Sequence, residues 1–258
     1  MINRKSAREL ERMAEAGALV ASTLELLGHH VAPGTTTAEL DRLAEEFIRD
    51  HGGVPTFKGY RGYPASICTS PNEVIVHGIP GPYELAEGDV LTADVGVTLG
   101  GFVADSAYTF AVGEPSEEAE QLLATCQAAL AAGIEAARVG KRIGDISAAV
   151  QRVTEDAGFS VVRSLVGHGV GRSMHEEPQI PNFGEPGRGP ALAEGMTLAI
   201  EPMITAGSHE IVLADDEWTI STADGSLSAH FEHTVAITAD GPLILTPRVG
   251  VPARGVEV

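Results

Sequence analysis

A chain of 258 residues that is 43% hydrophobic and 21% charged is long enough for one large domain or two fused halves, and apolar enough for a substantial core. That composition excludes low-complexity disorder and collagen-like repeats. With 17 Lys+Arg against 36 Asp+Glu the formal net charge is −19, which argues against direct nucleic-acid binding and against an anionic membrane surface.

The first segment, 6–31, reads as a helix: Leu10, Met13, Gly17, Val20, Leu24 and Leu27 recur at steps of three and four. Thr36 with Glu39 forms a capping-box pattern that opens a second helix, with Leu40, Leu43, Phe47 and Ile48 on its apolar face and a stop at His51-Gly52-Gly53. Residues 54–112 then alternate apolar runs with turns and read as strands. Ser116-Glu117-Glu118 opens an Ala-rich helix to about 139, residues 144–157 give a fourth helix, and strands return after Gly158.

Two helices then strands, twice over, predict an α/β (α+β) chain of two related halves, roughly 1–112 and 113–258, within one catalytic domain spanning 1–258. A short echo agrees. Leu85-Ala-Glu-Gly88 and Leu192-Ala-Glu-Gly195 each precede an apolar strand that reaches a carboxylate, Asp94 and Glu201, six residues after the glycine. Cys68 and Cys126 form no C-x-x-C pair, so neither a disulfide framework nor a thiolate zinc site is expected. The N-terminus carries no apolar leader and no run reaches membrane-spanning length, so a cytoplasmic protein is expected.

The chemistry is concentrated in carboxylates set inside apolar strands. Leu99-Gly100-Gly101 separates two apolar runs and reads as a hairpin turn. With the turn centred between Leu99 and Gly100, Asp94 faces Asp105 directly, with Cβ atoms about 4.5–5.5 Å apart. Two such charges repel and lose hydration, and no Lys or Arg lies between Arg61 and Arg138, so metal ions are the economical counter-charge. Glu201 in Leu198-Ala-Ile-Glu-Pro and Glu232 in His230-Phe-Glu-His-Thr are the matching groups of the second half. His168, flanked by Gly167 and Gly169, adds one nitrogen donor.

Four carboxylates and one imidazole favour Mn²⁺, Fe²⁺ or Co²⁺, with Zn²⁺ as an alternative, and four negative charges balance two divalent ions. Metal-assisted hydrolysis is the reaction class. Two other readings fail on spacing. Gly167-His-Gly-Val-Gly171 lacks the G-x-G-x-x-G spacing of a dinucleotide loop, and His175-Glu-Glu-Pro-Gln179 lacks the second histidine of a zincin helix.

Ser70-Pro-Asn-Glu-Val-Ile-Val-His-Gly-Ile-Pro80, the Asp94/Asp105 hairpin, Gly167-His-Gly-Val-Gly-Arg-Ser-Met-His-Glu-Glu-Pro178, Ile200-Glu-Pro-Met203 and Phe231-Glu-His-Thr234 occur in that order. Over nearly its whole length the chain resembles the type I methionine aminopeptidases. The resemblance implies a "pita-bread" fold, antiparallel sheet covered by helices in two pseudo-symmetric halves. It implies two metal ions held by Asp94, Asp105, His168, Glu201 and Glu232, with Asp105 and Glu232 bridging. It implies His77 and His175 as substrate-contacting and catalytic groups, Glu201 as the proton shuttle, and removal of N-terminal methionine from nascent chains, at the ribosome or free, when the second residue is small. Tyr60, Tyr63, Cys68 and Trp218 match or lie near substrate-pocket positions, with ordinary core packing as the competing reading. His230, Arg61 and Phe57 depart from the common pattern and bear on pocket shape.

An Xaa-Pro aminopeptidase of the same fold is the nearest rival, and such enzymes usually carry an extra N-terminal domain for which the first helix leaves no room. A type II enzyme needs a longer stretch between His175 and Glu201. A non-catalytic binding protein on this fold would be expected to lack some of the five ligands. The chain is expected to be a monomer and, beginning Met1-Ile2, to keep its own Met1.

Overall fold

A computed structural model describes residues 2–247. Met1, whose retention is expected above, and residues 248–258 of the second half lie outside the described residues. Four α-helices and one short 3-10 turn (Tyr60–Gly62) are present among the described residues: α1 (Ala7–His30), α2 (Thr37–Asp50), α3 (Glu117–Ala136) and α4 (Ile143–Asp156). The strands of the first half are β1 (Val54–Pro55), β2 (Cys68–Pro71), β3 (Val74–Val76), β4 (Val90–Leu99) and β5 (Phe102–Ala111). Those of the second are β6 (Ser160–Val161), β7 (Val166–Gly169), β8 (Glu176–Pro181), β9 (Thr197–Ile200), β10 (Met203–Thr205), β11 (Ile211–Leu213), β12 (Ile220–Thr222), β13 (Ser228–His230), β14 (His233–Thr238) and β15 (Gly241–Ile244).

The helix starts follow their caps. The Glu9 carboxylate accepts the Ser6 N–H at 2.9 Å, and the Thr36 and Ser116 hydroxyls accept the N–H groups of Glu39 and Ala119 at 3.2 Å each. The third helix stops at Ala136, three residues before its expected end, because the Ala137 N–H turns back to Ile134 O and the chain reverses over Arg138–Lys141.

Every strand pairing among the described residues is antiparallel. β4 is flanked by β5 on one edge and by β2 and β1 on the other, and β15-β14-β9-β7-β8 form the five-stranded sheet of the second half. Period-two alternation splits β4: Leu91, Ala93, Val95 and Val97 pack under Val20, Leu24 and Leu40 of α1 and α2. The other face, carrying Asp94, looks toward the second half. There Leu122, Cys126, Leu130 and Ile146 of α3 and α4 cover Leu198, Ile200, Val235 and Ile237.

The two halves repeat the same backbone bonds. Thr37 N–H to Tyr83 O, Ala38 N–H to Gly81 O and Leu85 N–H to Thr35 O recur as Ile143 to Pro190, Gly144 to Arg188 and Leu192 to Lys141, all between 2.8 and 3.1 Å. This is the pita-bread architecture, two pseudo-symmetric halves facing one another. They are stitched where the site forms. Glu232 N–H donates to Ala107 O at 3.0 Å, Asp105 N–H to Thr234 Oγ1 at 3.0 Å, and Thr109 Oγ1 to His230 O at 2.8 Å.

The hairpin register differs from the expected one. Leu99 pairs with Phe102, Asp94 with Ala107 and Gly96 with Asp105. Gly100 and Gly101 are themselves the two-residue loop, at φ 58° and 83°, because a primed turn needs positive φ at both central positions. Asp94 and Asp105 are therefore diagonal neighbours rather than directly opposed. The offset is two residues, so both carboxylates keep the same face.

Candidate metal centre and active-site cleft

A cleft between the halves, with a cavity volume of about 220 Å³, is lined by all the residues that the sequence offered as metal ligands, catalytic groups or pocket walls: Asp94, Asp105, His168, Glu201, Glu232, His77, His175, Tyr60, Tyr63, Cys68 and Trp218. Asp94 and Asp105 come from β4 and β5, His168 from β7, Glu201 from the end of β9, and Glu232 from the link between β13 and β14. Gly167 and Gly169 seat His168 deep in its sheet. A Cβ on either would collide with a backbone carbonyl, that of Ala199 or that of Glu177.

His168 Nδ1 donates to Gly169 O at 2.9 Å, which fixes the tautomer and turns a lone pair on Nε2 into the cleft. That Nε2 lies 3.6 Å from Glu201 Oε1 and 3.9 Å from Asp105 Oδ2. Ligand atoms of Asp105, His168 and Glu232 all fall within 4.8 Å of one another.

Asp105 is 3% exposed and Glu232 1%. Burial pushes Asp94 up to about 7 and holds Asp105, Glu201 and Glu232 well above the usual carboxylate range, with each of these three raised further by its carboxylate neighbours. Burial lowers His77 and His168 to about 4 and His230 to about 3, so the imidazoles stay neutral and supply no counter-charge. Asp94 Oδ1, Asp105 Oδ1 and Glu232 Oε1 are buried without a hydrogen-bond partner. Carboxylate oxygens orphaned around one unprotonated imidazole nitrogen are the donor set a hard divalent cation takes, so the residues fit a metal centre.

The rest of the cleft is lined mainly by aromatic, histidine and apolar side chains. His175 precedes β8, and its Nδ1 lies 2.8 Å from Tyr60 Oη. Burial, and then the nearby Arg61 guanidinium, lower its pKa. His77 follows β3 with φ 59°. The Tyr63 hydroxyl donates to Gly78 O at 2.9 Å, next to His77, so this tyrosine braces the backbone as well as walling the pocket. Trp218, between β11 and β12, meets Tyr63 edge-on with ring centroids 5.1 Å apart. Cys68 is buried, and desolvation first and then the Asp94 charge hold its thiol well above its ordinary value, which suits a wall rather than a nucleophile. Ordinary core packing also holds in part, since Tyr63 and Cys68 belong to the cluster that includes Met13 and Phe102.

Sequence reasoning marked His230 only as a departure bearing on pocket shape and missed its place beside the carboxylates. His230 is 1% exposed, both ring nitrogens lack a hydrogen-bond partner, and Nε2 lies 3.6 Å from Glu201 Oε2 and 4.0 Å from Glu232 Oε2. The signal was available. His230 and Glu232 are two residues apart in a sequence that reads as strand, and strand alternation would place them on one side. Phe57, which departs from the common pattern, lines the cleft as well, with Met174 and Met203 from the quoted motifs and Leu165 from outside them.

The sequence model of metallopeptidase family M24 matches residues 11–239. The chain belongs to this family. Methionine aminopeptidase of Clostridium perfringens is 54% identical over 246 residues, covering 95% of this chain and 99% of that protein. Methionine aminopeptidase 1 of Bacillus subtilis is 50% identical, with 95% and 99% covered. The crystal structure of methionine aminopeptidase from Rickettsia prowazekii superposes with a TM-score of 0.95 at 42% identity, covering 96% of this chain and all of that one. In this M24 peptidase the described residues include no helix long and apolar enough to cross a membrane.

Proposed function

We propose that this cleft removes the N-terminal methionine from nascent proteins and peptides whose second residue is small, as a type I methionine aminopeptidase. The observation that carries the reading is the juxtaposition of five hard-metal donors with an apolar wall of Tyr63, Cys68, Phe57 and Trp218 in a single small cleft. Asp94, Asp105, His168, Glu201 and Glu232 would hold two divalent ions, Fe²⁺, Mn²⁺ or Co²⁺, with Zn²⁺ as an alternative. Bound there, the ions supply Lewis acidity for water activation and carbonyl polarisation.

The chain's own groups do the rest. The apolar wall takes the methionine side chain, and the acidic floor draws the free α-amine, which selects the first residue of a peptide. Glu201 removes a proton from the attacking water and returns it to the leaving amine. His175, neutral and oriented by Tyr60, donates from Nε2 to the oxyanion that develops on the scissile carbonyl. His77 contacts the substrate backbone from the opposite side.

The acting unit is one domain with halves at roughly 1–112 and 113–258. The repeated backbone bonds between the helix starts and the loops at 81–85 and 188–192 support those halves. It works as a monomer in the cytoplasm on chain termini as they emerge, at the ribosome or free of it.

The test is release of methionine from Met-Ala-Ser by metal-loaded protein beside a Gly-Pro dipeptide. Methionine release alone, lost after chelation and restored by Mn²⁺, Fe²⁺ or Co²⁺, is expected. Cleavage of Gly-Pro alone would overturn the reading in favour of an Xaa-Pro peptidase, and a fully metal-loaded protein inert on both would point to a binding protein.

A further inference from the structure

The loop that carries His175 is held by residues 171 positions away in sequence. Lys5 Nζ lies 2.7 Å from Glu176 Oε2, and the two side chains are only 5% and 7% exposed. Asn3 Nδ2 reaches the same oxygen at 3.3 Å. The other oxygen of Glu176 accepts the backbone N–H groups of Arg172 at 2.8 Å and Ser173 at 3.3 Å. One carboxylate thus ties the N-terminal arm to the turn that precedes β8, and His175 is its immediate neighbour.

The arm is itself pinned. Lys5 N–H donates to Gly195 O at 2.6 Å, and Arg4 Nε to Glu194 O, also at 2.6 Å. The turn is fastened on its far side, where Val103 N–H donates to Gly171 O at 2.7 Å and Arg172 pairs with Glu9 at 2.9 Å. The passage is fitted to the lysine, since a Cβ on Gly171 would collide with Lys5 Cε. A buried lysine and a buried glutamate are costly to place unless each is fully paired, so a pair this enclosed fixes geometry tightly.

We infer that Lys5 and Glu176 are positioning residues for His175, so that the first residues of the chain form part of the catalytic apparatus. The inference rests on the donor role given to His175 above. The ion pair stops the 171–176 turn from relaxing, which keeps the imidazole within reach of Tyr60 and aimed at the reacting carbonyl. Neither residue touches substrate.

The experiment uses the full metal-loaded chain and the variants Lys5→Met, Glu176→Gln, Glu176→Ala and the double variant Lys5→Met/Glu176→Gln. It reads kcat and KM on Met-Ala-Ser, metal content, and the ring signals of His175 by NMR with labelled histidine. Lys5→Met should lower kcat about 10-fold or more, with KM and metal content within two-fold of the parent and the His175 signals shifted. The double variant should recover about three-fold of that loss or more, because a neutral carboxamide in place of the Glu176 carboxylate needs no cation yet still accepts the two N–H groups.

Parental kcat and His175 signals in folded Lys5→Met would overturn the inference. So would a loss of activity that merely tracks the folded fraction. Should Lys5→Met fail to fold, Glu176→Ala against Glu176→Gln decides: a kcat about 10-fold lower in the alanine variant supports the inference, and equal kcat refutes it. If the parent chain releases no methionine at all, the functional reading has failed instead.

Discussion

Tyr60 Oη and His175 Nδ1 lie 2.8 Å apart, joining the first half's 3-10 turn to the turn before β8 in the second half. Burial and the nearby Arg61 keep His175 neutral, so one ring nitrogen carries a proton and the other accepts. With the phenol donating to Nδ1, the proton sits on Nε2, the tautomer needed to stabilise an oxyanion. Tyr60→Phe frees the ring to adopt either tautomer. Its kcat on Met-Ala-Ser should fall about 10-fold, with KM nearly unchanged and the same metal content. Steady-state kinetics beside elemental analysis checks this, and an unchanged kcat would show that Tyr60 is only a wall.

Asp105 and Glu232 each have one oxygen buried without a partner, and both lie in the tight donor cluster with His168. Asp105→Asn keeps the shape but removes a negative charge and one of the equivalent oxygen donors. Bound metal per chain should drop by half or more, and kcat should fall about 100-fold or more. The buried carboxamide is easier to house without an ion than the charged carboxylate, so the metal-free variant should melt no lower than the metal-free parent at pH 8. Elemental analysis and calorimetry test the two halves of this prediction separately.

Much of this centre could be read from the chain because buried charge in a strand is so unfavourable that it declares a purpose. Asp94, Asp105, Glu201 and Glu232 stand out against Val, Leu, Ile and Ala on the strength of local sequence alone. The echo at Gly88 and Gly195 revealed the duplication for a similar reason, since both copies must make the same turn into a strand. The hairpin register differs by two residues from a turn centred between Leu99 and Gly100, because paired glycines at positive φ make Gly100 and Gly101 together the loop of a primed turn. The ion pair of Lys5 with Glu176 left no trace in sequence. Its partners are 171 residues apart, and only the closing of one half on the other brings them together.

Trp218 packs edge-on against Tyr63, and its centroid is 6.4 Å from that of His77. It rides on the β11–β12 hairpin and is only partly buried at the edge of the cluster that holds Tyr63 and Cys68, so its removal should cost affinity more than stability. Trp218→Ala should raise KM for Met-Ala-Ser about 10-fold or more while shifting the melting temperature by only about 3 °C. The wall offers the methionine sulfur apolar contact, so norleucine should replace methionine with a kcat/KM within about 10-fold of the parent substrate. Competition between the two peptides, read by mass spectrometry, checks both statements.

The carboxylate cluster also sets the pH dependence of the metal-free chain. Asp94, raised to about 7 by burial, and Asp105, Glu201 and Glu232, raised well above the usual range, bind protons in the folded state that the unfolded chain has already released. A group raised in this way stabilises the fold at low pH and loses that contribution as pH climbs through its folded value. The buried histidines act oppositely. His77 and His168, lowered to about 4, and His230, lowered to about 3, favour the fold above about 6.5 and weaken it below. Between about pH 7.5 and 9.5 the histidines have largely finished titrating in both states and the carboxylates set the slope. The metal-free chain should therefore lose about 5 °C or more in melting temperature across that interval. Saturating Mn²⁺ should abolish the fall, because ion-bound carboxylates hold no proton to release. A metal-free melting temperature that instead rises across the same interval would mean the four carboxylates are ionised and solvated in the folded chain, against the burial that defines the centre.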